Sequence, residues 1–354
     1  GVFALFLQIE EELHELAAVL LLQRREFVTE QTRKAADRTD VAVIVHAGGE
    51  PSAEREWIGL FGERNIPVVL VLNKADLLND EAAAVSALRA ETGINPIAVS
   101  ALTGKGIGEL IAAIAEAGRG ATDEVSITGN LAGPGDVVML VMPQDAQAPK
   151  GRLILPQQQV LRNVLDNKGI AVTVQESELA EALARLAFPP KLVVTDSQAF
   201  GAVSKIVPTT VPLTSFSILM ARYKGTLSAA VKAVRVLDTL KDGDKVLISE
   251  GCTHHRQCQD IGTVKLPGWI RSFTKAEPEF CFSSGTEFPA DLSQYKLVVH
   301  CGSCMLNERE MQSRSERAAA QNVPMTNYGI AIAYIHGILK RSVAPLPDIA
   351  KLLE

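Results

Sequence analysis

The chain has 354 residues, which at about 150 residues per domain suggests two or three domains, each large enough to bury its own core. Hydrophobic residues make up 47% and charged residues 21%, which excludes disorder as the main state, and a net charge of −6 without a long basic run argues against nucleic-acid binding. Apolar stretches such as Leu16 to Leu22 and Ile66 to Leu72 stop far short of the roughly eighteen residues that a membrane helix needs, so no membrane association is expected. Five cysteines, all in the last third, make no disulfide framework and point to a reducing, cytoplasmic setting, with no signal peptide visible.

In chain order, Gly1 to Phe6 and Ala17 to Leu22 read as buried strands, each followed abruptly by polar helical sequence. The runs VAVIV (Val41 to Val45) and IPVVLVL (Ile66 to Leu72) predict further strands, and Asp80 to Arg89 and Ile107 to Ala117 predict helices. Gly118 to Gly135, rich in Gly, Thr and Ser, is expected to be a linker. A second block has strands at Asp136 to Met142, Ile170 to Val174 and Lys191 to Ser197 and a helix at Gln157 to Leu165. A third has helices at Leu227 to Leu240, Asn307 to Ala320 and Ile330 to Leu339, with strands at Lys245 to Ser249 and Lys296 to His300. Strands alternating with helices predict α/β units with parallel sheets, in three modules spanning 1–121, 122–213 and 214–354.

Asn73-Lys74-Ala75-Asp76 follows a buried strand directly, at the edge where open α/β sheets bind ligands. A carboxylate at Asp76 can accept from both N1–H and the exocyclic amine of guanine, whereas adenine offers no matching donor pair. Asn73 would touch the base or tie loops together, the Lys74 stem would cross the ring, and Ser100-Ala101-Leu102 would bring backbone N–H groups toward the guanine oxygen. NKAD followed by SAL resembles the base-recognition pair of translation-factor-like GTPases. The sequence holds no G-x-x-x-x-G-K-[ST] to cradle phosphates, its first block holds no D-x-x-G for a switch, and Gly104-Lys105-Gly106 lacks the P-loop spacing and hydroxyl. A P-loop is expected after Phe6 and a switch after Leu22 in a longer form of the chain.

Cys252-Thr253-His254 and Cys301-Gly302-Ser303-Cys304 each terminate a predicted strand. If those strands are parallel neighbours, three thiolates and an imidazole converge on one sheet edge, with Gly251 and Gly302 allowing tight turns. Soft thiolates select zinc or iron–sulfur clusters. A closed Cys3His set suits structural zinc, three cysteines with a weak fourth ligand suit a cluster with one exchangeable iron, and Cys301 with Cys304 alone would suit a dithiol redox pair. Other residues have duller readings. His46 is expected at a surface or turn, and strand alternation is expected to turn His300 away from the Cys301 side. His255 and Arg256 read as loop residues next to the site, Lys150 and Arg152 as solvated, and Cys258 and Cys281 as structural or incidental.

The pattern C-x-H then C-x-x-C behind a GTPase-like domain, with APKGRLILPQ (Ala148 to Gln157), TDSQ (Thr195 to Gln198), EGCTH (Glu250 to His254) and PMTNYG (Pro324 to Gly329), resembles the HydF family of FeFe-hydrogenase maturation GTPases. The resemblance implies a GTPase domain, a small α/β dimerisation domain and an α/β domain binding a 4Fe–4S cluster. Carried onto this chain, Cys252, Cys301 and Cys304 would hold the cluster, with His254 as an exchangeable fourth ligand. It further implies GTP with Mg2+, a homodimer, and a scaffold that takes a transient diiron precursor made with radical-SAM maturases and delivers it to apo FeFe-hydrogenase. The competing expectation is a zinc-stabilised GTP-binding regulator.

Overall fold

The computed structural model describes residues 19–23, 35–121, 126–143, 153–251, 261–285 and 287–354. The expected strand Gly1 to Phe6, Lys150, Arg152 and the stretch carrying Cys252, His254, His255, Arg256 and Cys258 lie outside the described residues. The chain separates into two compact units, Gly1–Glu124 and Val125–Glu354.

In the first unit, β1 (Val19–Gln23), β2 (Val41–His46), β3 (Val68–Leu72) and β4 (Ile97–Ala98) form a parallel sheet in the order β1-β2-β3-β4. Helices α1 (Ser52–Glu63), α2 (Glu81–Thr92) and α3 (Ile107–Ala121) cover it. Every residue of β2 is buried, as expected for a parallel strand covered on both faces, and this is why its sequence is an uninterrupted apolar run. The two-residue period of the strand sends Val41, Val43 and Val45 against Leu110 and Ile114 of α3, and Ala42 and Ile44 against Trp57 and Phe61 of α1. Asp80 caps α2 by accepting from Ala83 N at 2.9 Å, and Gly93 ends it at φ +76°.

The second unit holds two sheets, both parallel. One has the order β6-β5-β7-β8, from β5 (Val137–Val141), β6 (Ile170–Val174), β7 (Leu192–Thr195) and β8 (Leu213–Ser215). Val138 and Leu140 pack with α4 (Leu155–Asp166) through Val160 and Val164. Met139 and Val141 face α5 (Leu179–Arg185) and α6 (Phe200–Ile206). The expected boundary after Leu213 falls inside β8, and α7 (Phe216–Tyr223) buries Phe216, Leu219 and Met220 on this same sheet. The expected linker Gly118 to Gly135 is not a solvated tether throughout. Gly118 to Ala121 complete α3, and Thr128 is buried with its N–H and hydroxyl both on Asn163 Oδ1, at 3.0 and 2.8 Å.

The other sheet follows α8 (Leu227–Ala233) and has the order β10-β9-β11-β12. Its elements are β9 (Lys245–Glu250), α9 (Leu266–Thr274), β10 (Glu279–Ser284), β11 (Leu297–His300), α10 (Glu308–Ala320), β12 (Met325–Asn327) and α11 (Tyr328–Ile335). Two predicted helices are shorter than their apolar patterns. The first tightens into a 3-10 stretch at Val234–Thr239. The second is cut by Gly337 at φ +70°, where Ile338 N bonds Ala333 O before α12 (Leu339–Val343) begins. No helix among the described residues is long and apolar enough to cross a membrane.

Candidate functional sites

Sheet register decides what the cysteine motifs can do. β11 pairs with β9 so that Val299 faces Ile248 and His300 faces Ser249, and both strands end on the same edge. Cys301 N continues the ladder onto Ser249 O at 2.8 Å. Gly251, one residue past β9, donates its N–H to Cys301 Sγ at 3.1 Å, and Ser303 N donates to the same sulfur at 3.3 Å. Gly251 directly precedes Cys252 in the sequence, and β9 and β11 are the parallel neighbours that the sequence pattern required. Among the described residues no group of three or more His, Cys, Asp or Glu is placed to hold a metal ion; those residues contribute Cys301 and Cys304, while Cys252 and His254 lie outside them. Burial pushes the Cys301 thiol above its ordinary value, against the two N–H donors that favour its thiolate.

The glycines act differently from expectation. Gly302 has open space around it, and the left-handed residue of the loop is Ser303 at φ +58°. Its buried hydroxyl lies 3.0 Å from His300 Nδ1 and donates to Cys301 O at 3.1 Å, which holds a conformation that L residues adopt rarely. Gly251 is needed for space, because a Cβ there would sit 2.7 Å from Leu306 Cγ.

His300 touches this loop through the Cys301 carbonyl and the Ser303 hydroxyl. It is fully buried behind the loop, with Nε2 2.9 Å from Arg314 Nη1. An arginine only donates, so Nε2 accepts and Nδ1 carries the proton, facing Cys301 O and Ser303 Oγ. Burial, then the Arg314 charge, brings the imidazole down to about 3, so the ring is neutral near pH 7. Arg314 also donates to Glu310 Oε1 at 2.5 Å and Gly285 O at 2.8 Å, and lies over the Phe288 ring. The sequence hinted at this only through the i, i+4 spacing of Glu310 and Arg314 on a helix. A second unforeseen residue is Lys224, just past α7. It is buried and donates from Nζ to Ser303 O and, at 2.9 Å, to Leu306 O. Burial brings it down to about 8, opposed by its electrostatic coupling to the acidic groups Cys304, Cys301, Glu308 and Glu310. Cys281 is half-buried on β10, and Asn327 caps α11 by accepting from Ile330 N at 2.9 Å.

In the first unit, Asn73 is buried at the end of β3, and its Oδ1 accepts from Lys74 N at 2.8 Å and from Ala101 N at 3.3 Å. One side chain thereby joins NKAD to SAL. Lys74 lies at φ +64° with Ala75 N on Val99 O at 2.9 Å, which leaves Lys74 and Asp76 exposed on the same rim as Leu102. Ser100 is buried and closes its own loop, accepting from Thr103 N at 3.2 Å through Oγ and from Gly104 N at 2.8 Å through its carbonyl. Gly106 is a packing glycine: at φ +74°, a Cβ would come 2.2 Å from Ala98 O. His46 is buried at the end of β2, against expectation, because Glu54 of α1 is buried beside it with Oε1 2.7 Å from Nδ1. Asn73→Ala is expected to cost the first unit about 1–3 kcal/mol, since two N–H groups lose their acceptor. Urea unfolding followed through Trp57 checks this, and an unchanged midpoint would remove Asn73 as the tie.

Two family models match the chain: the Hydrogen maturase F dimerization domain over residues 127–225 and the Hydrogen maturase F tetramerization domain over residues 228–345. The first spans the β5–β8 sheet with α7 and Lys224; the second spans Cys252, Cys301 and Cys304, and the two domains support self-association of the chain. No curated protein matches the chain. With both domains in sequence order over more than half its length, the chain belongs to the hydrogen maturase F (HydF) family of hydrogenase maturation proteins.

Proposed function

We propose that the chain is an iron–sulfur scaffold for hydrogenase maturation, in which Cys252, Cys301 and Cys304 hold a 4Fe–4S cluster and His254 is its exchangeable fourth ligand. The observation that carries this reading is the half-buried Cys301 sulfur, which takes N–H bonds from Ser303 and from Gly251, the residue before Cys252. Thiolates ligating a cluster are stabilised by such donors, so the donor set fits the group. When bound, the cluster supplies an iron with a labile coordination position and one-electron chemistry. The protein side of the work is to keep the sulfurs oriented and to leave the fourth position weakly held, which suits release of cargo. The cargo is a diiron precursor made with radical-SAM maturases, and its recipient is apo FeFe-hydrogenase.

Guanine nucleotide is assigned to Asp76, with Lys74, Ala101 and Leu102 around the base and Asn73 and Ser100 holding the loops. The sequence has no G-x-x-x-x-G-K-[ST], so contacts to phosphate and Mg2+ are assigned to no residue, and hydrolysis is not assigned either. Asp76→Ala is expected to weaken guanosine nucleotide binding at least about tenfold, the loss of two hydrogen bonds to a charged acceptor, without affecting adenosine nucleotide. Equilibrium dialysis of the two nucleotides checks it, and equal losses for both would remove the base assignment.

The test of the scaffold is iron, sulfide and zinc analysis with EPR of the dithionite-reduced chain, purified and reconstituted without oxygen. About four irons per chain and a reduced-cluster signal are expected. Stoichiometric zinc with no cluster formed would overturn the reading and leave a zinc-stabilised regulator.

A further inference from the structure

The loop Cys301 to Leu306 is held from two sides. Its own domain supplies the His300, Arg314 and Glu310 chain behind it. The other support comes from Lys224, which lies within the dimerization stretch 127–225, while the loop lies within the tetramerization stretch 228–345. Ser303 O accepts from Lys224 Nζ and from Leu306 N at 3.1 Å, and Leu306 O accepts from Lys224 at 2.9 Å. The ammonium therefore bonds both ends of the turn that carries Cys304. Lys224 is 4% exposed, and a buried cation is costly unless negative groups surround it. Lys224 lines one cavity with Cys301, Gly302 and Ser303, and the acidic groups that act on it electrostatically are Cys304, Cys301, Glu308 and Glu310. Two of them are the thiols proposed to bind metal, so the charge is placed where an anionic cluster would meet it.

We propose that Lys224 is a positioning residue through which the dimerization domain shapes the metal loop: it clamps the Ser303 to Leu306 turn and sets a fixed positive charge beside the thiolates. The charge half of this proposal rests on the scaffold reading; the clamp half concerns the protein alone. A positive charge near a cluster favours its reduced, more negative state, so removing the charge makes reduction harder.

The experiment compares the wild-type chain with Lys224→Met, Lys224→Gln and Lys224→Arg. In the cluster-free protein, hydrogen exchange of the amides from 303 to 306 is expected to quicken at least tenfold in Lys224→Met and less in Lys224→Gln, which keeps a donor. In the reconstituted protein, EPR-monitored redox titration is expected to show the reduction equilibrium constant lowered about tenfold in both neutral variants, about 59 mV for one electron, with Lys224→Arg near wild type. A purely structural lysine would change exchange and leave the potential alone, which overturns the charge half. Wild-type exchange in both neutral variants overturns the clamp. If the wild-type chain takes up no iron, the scaffold reading and the charge half fail together, and the exchange result still decides the clamp. Should Lys224→Met not fold, Lys224→Gln carries both measurements.

Discussion

Cys301→Ser is expected to abolish stable cluster binding, taking iron from about four per chain to less than one after gel filtration and removing the reduced-cluster EPR signal. The hydroxyl is a hard, weakly acidic ligand where iron in a cluster requires a soft thiolate. The substitution also replaces the sulfur on which Gly251 and Ser303 converge with an atom that sits closer to the backbone. Cys304→Ser is expected to have the same effect on iron. Cys281→Ser is the control and should bind the full complement, since that side chain packs beside Leu247 and Val298 under α10. Full iron and an unaltered signal in Cys301→Ser would sink the proposed ligand set. Loss of iron in Cys281→Ser as well would point to a folding defect instead.

Arg314→Met is expected to destabilise the second unit by about 3–5 kcal/mol, the range for breaking a buried ion pair by removing one partner. Exposure decides which regime applies: the side chains of Arg314 and Glu310 are 3% and 9% exposed, whereas a surface pair would contribute at most about 1 kcal/mol. The substitution leaves the Glu310 carboxylate buried without its cation and takes the donor from His300 Nε2. For a unit of this size the loss corresponds to a Tm lower by roughly 10 °C. Glu310→Gln combined with Arg314→Met should recover part of it, because the stranded charge is then gone. Calorimetry of the cluster-free variants checks both statements, and a loss below about 1 kcal/mol for Arg314→Met would show that this network does not hold the loop.

Strands were the most legible part of the chain. VAVIV is apolar at every position of both faces, and only a parallel strand covered by helices on both sides needs that. The tie between NKAD and SAL was legible as well, because both follow strands directly and β3 and β4 are hydrogen-bonded neighbours. Reading failed where a residue's role depends on what packs over it. His46 ends a strand in a way that suggests a turn, yet Glu54 of α1 folds back on it and both are buried. Arg314 stands in a strongly polar helix sequence that suggests a solvated face, yet its head is drawn inward by His300 and Glu310.

The amino-acid sequence by itself determined the α/β alternation, the strand ends at which the motifs sit, and the donor chemistry of Cys301, Cys304 and Asp76, because these follow from local periodicity and from side-chain type. Register, partners and burial were decided only by the tertiary structure. Nothing in the sequence says that β9 lies beside β11 rather than elsewhere in its sheet, and it is this pairing that sets Gly251 N on Cys301 Sγ. Lys224 is the clearest case: in its own segment it is an ordinary lysine after a helix, and its placement comes from carbonyls some eighty residues away that only packing of the two domains brings within reach.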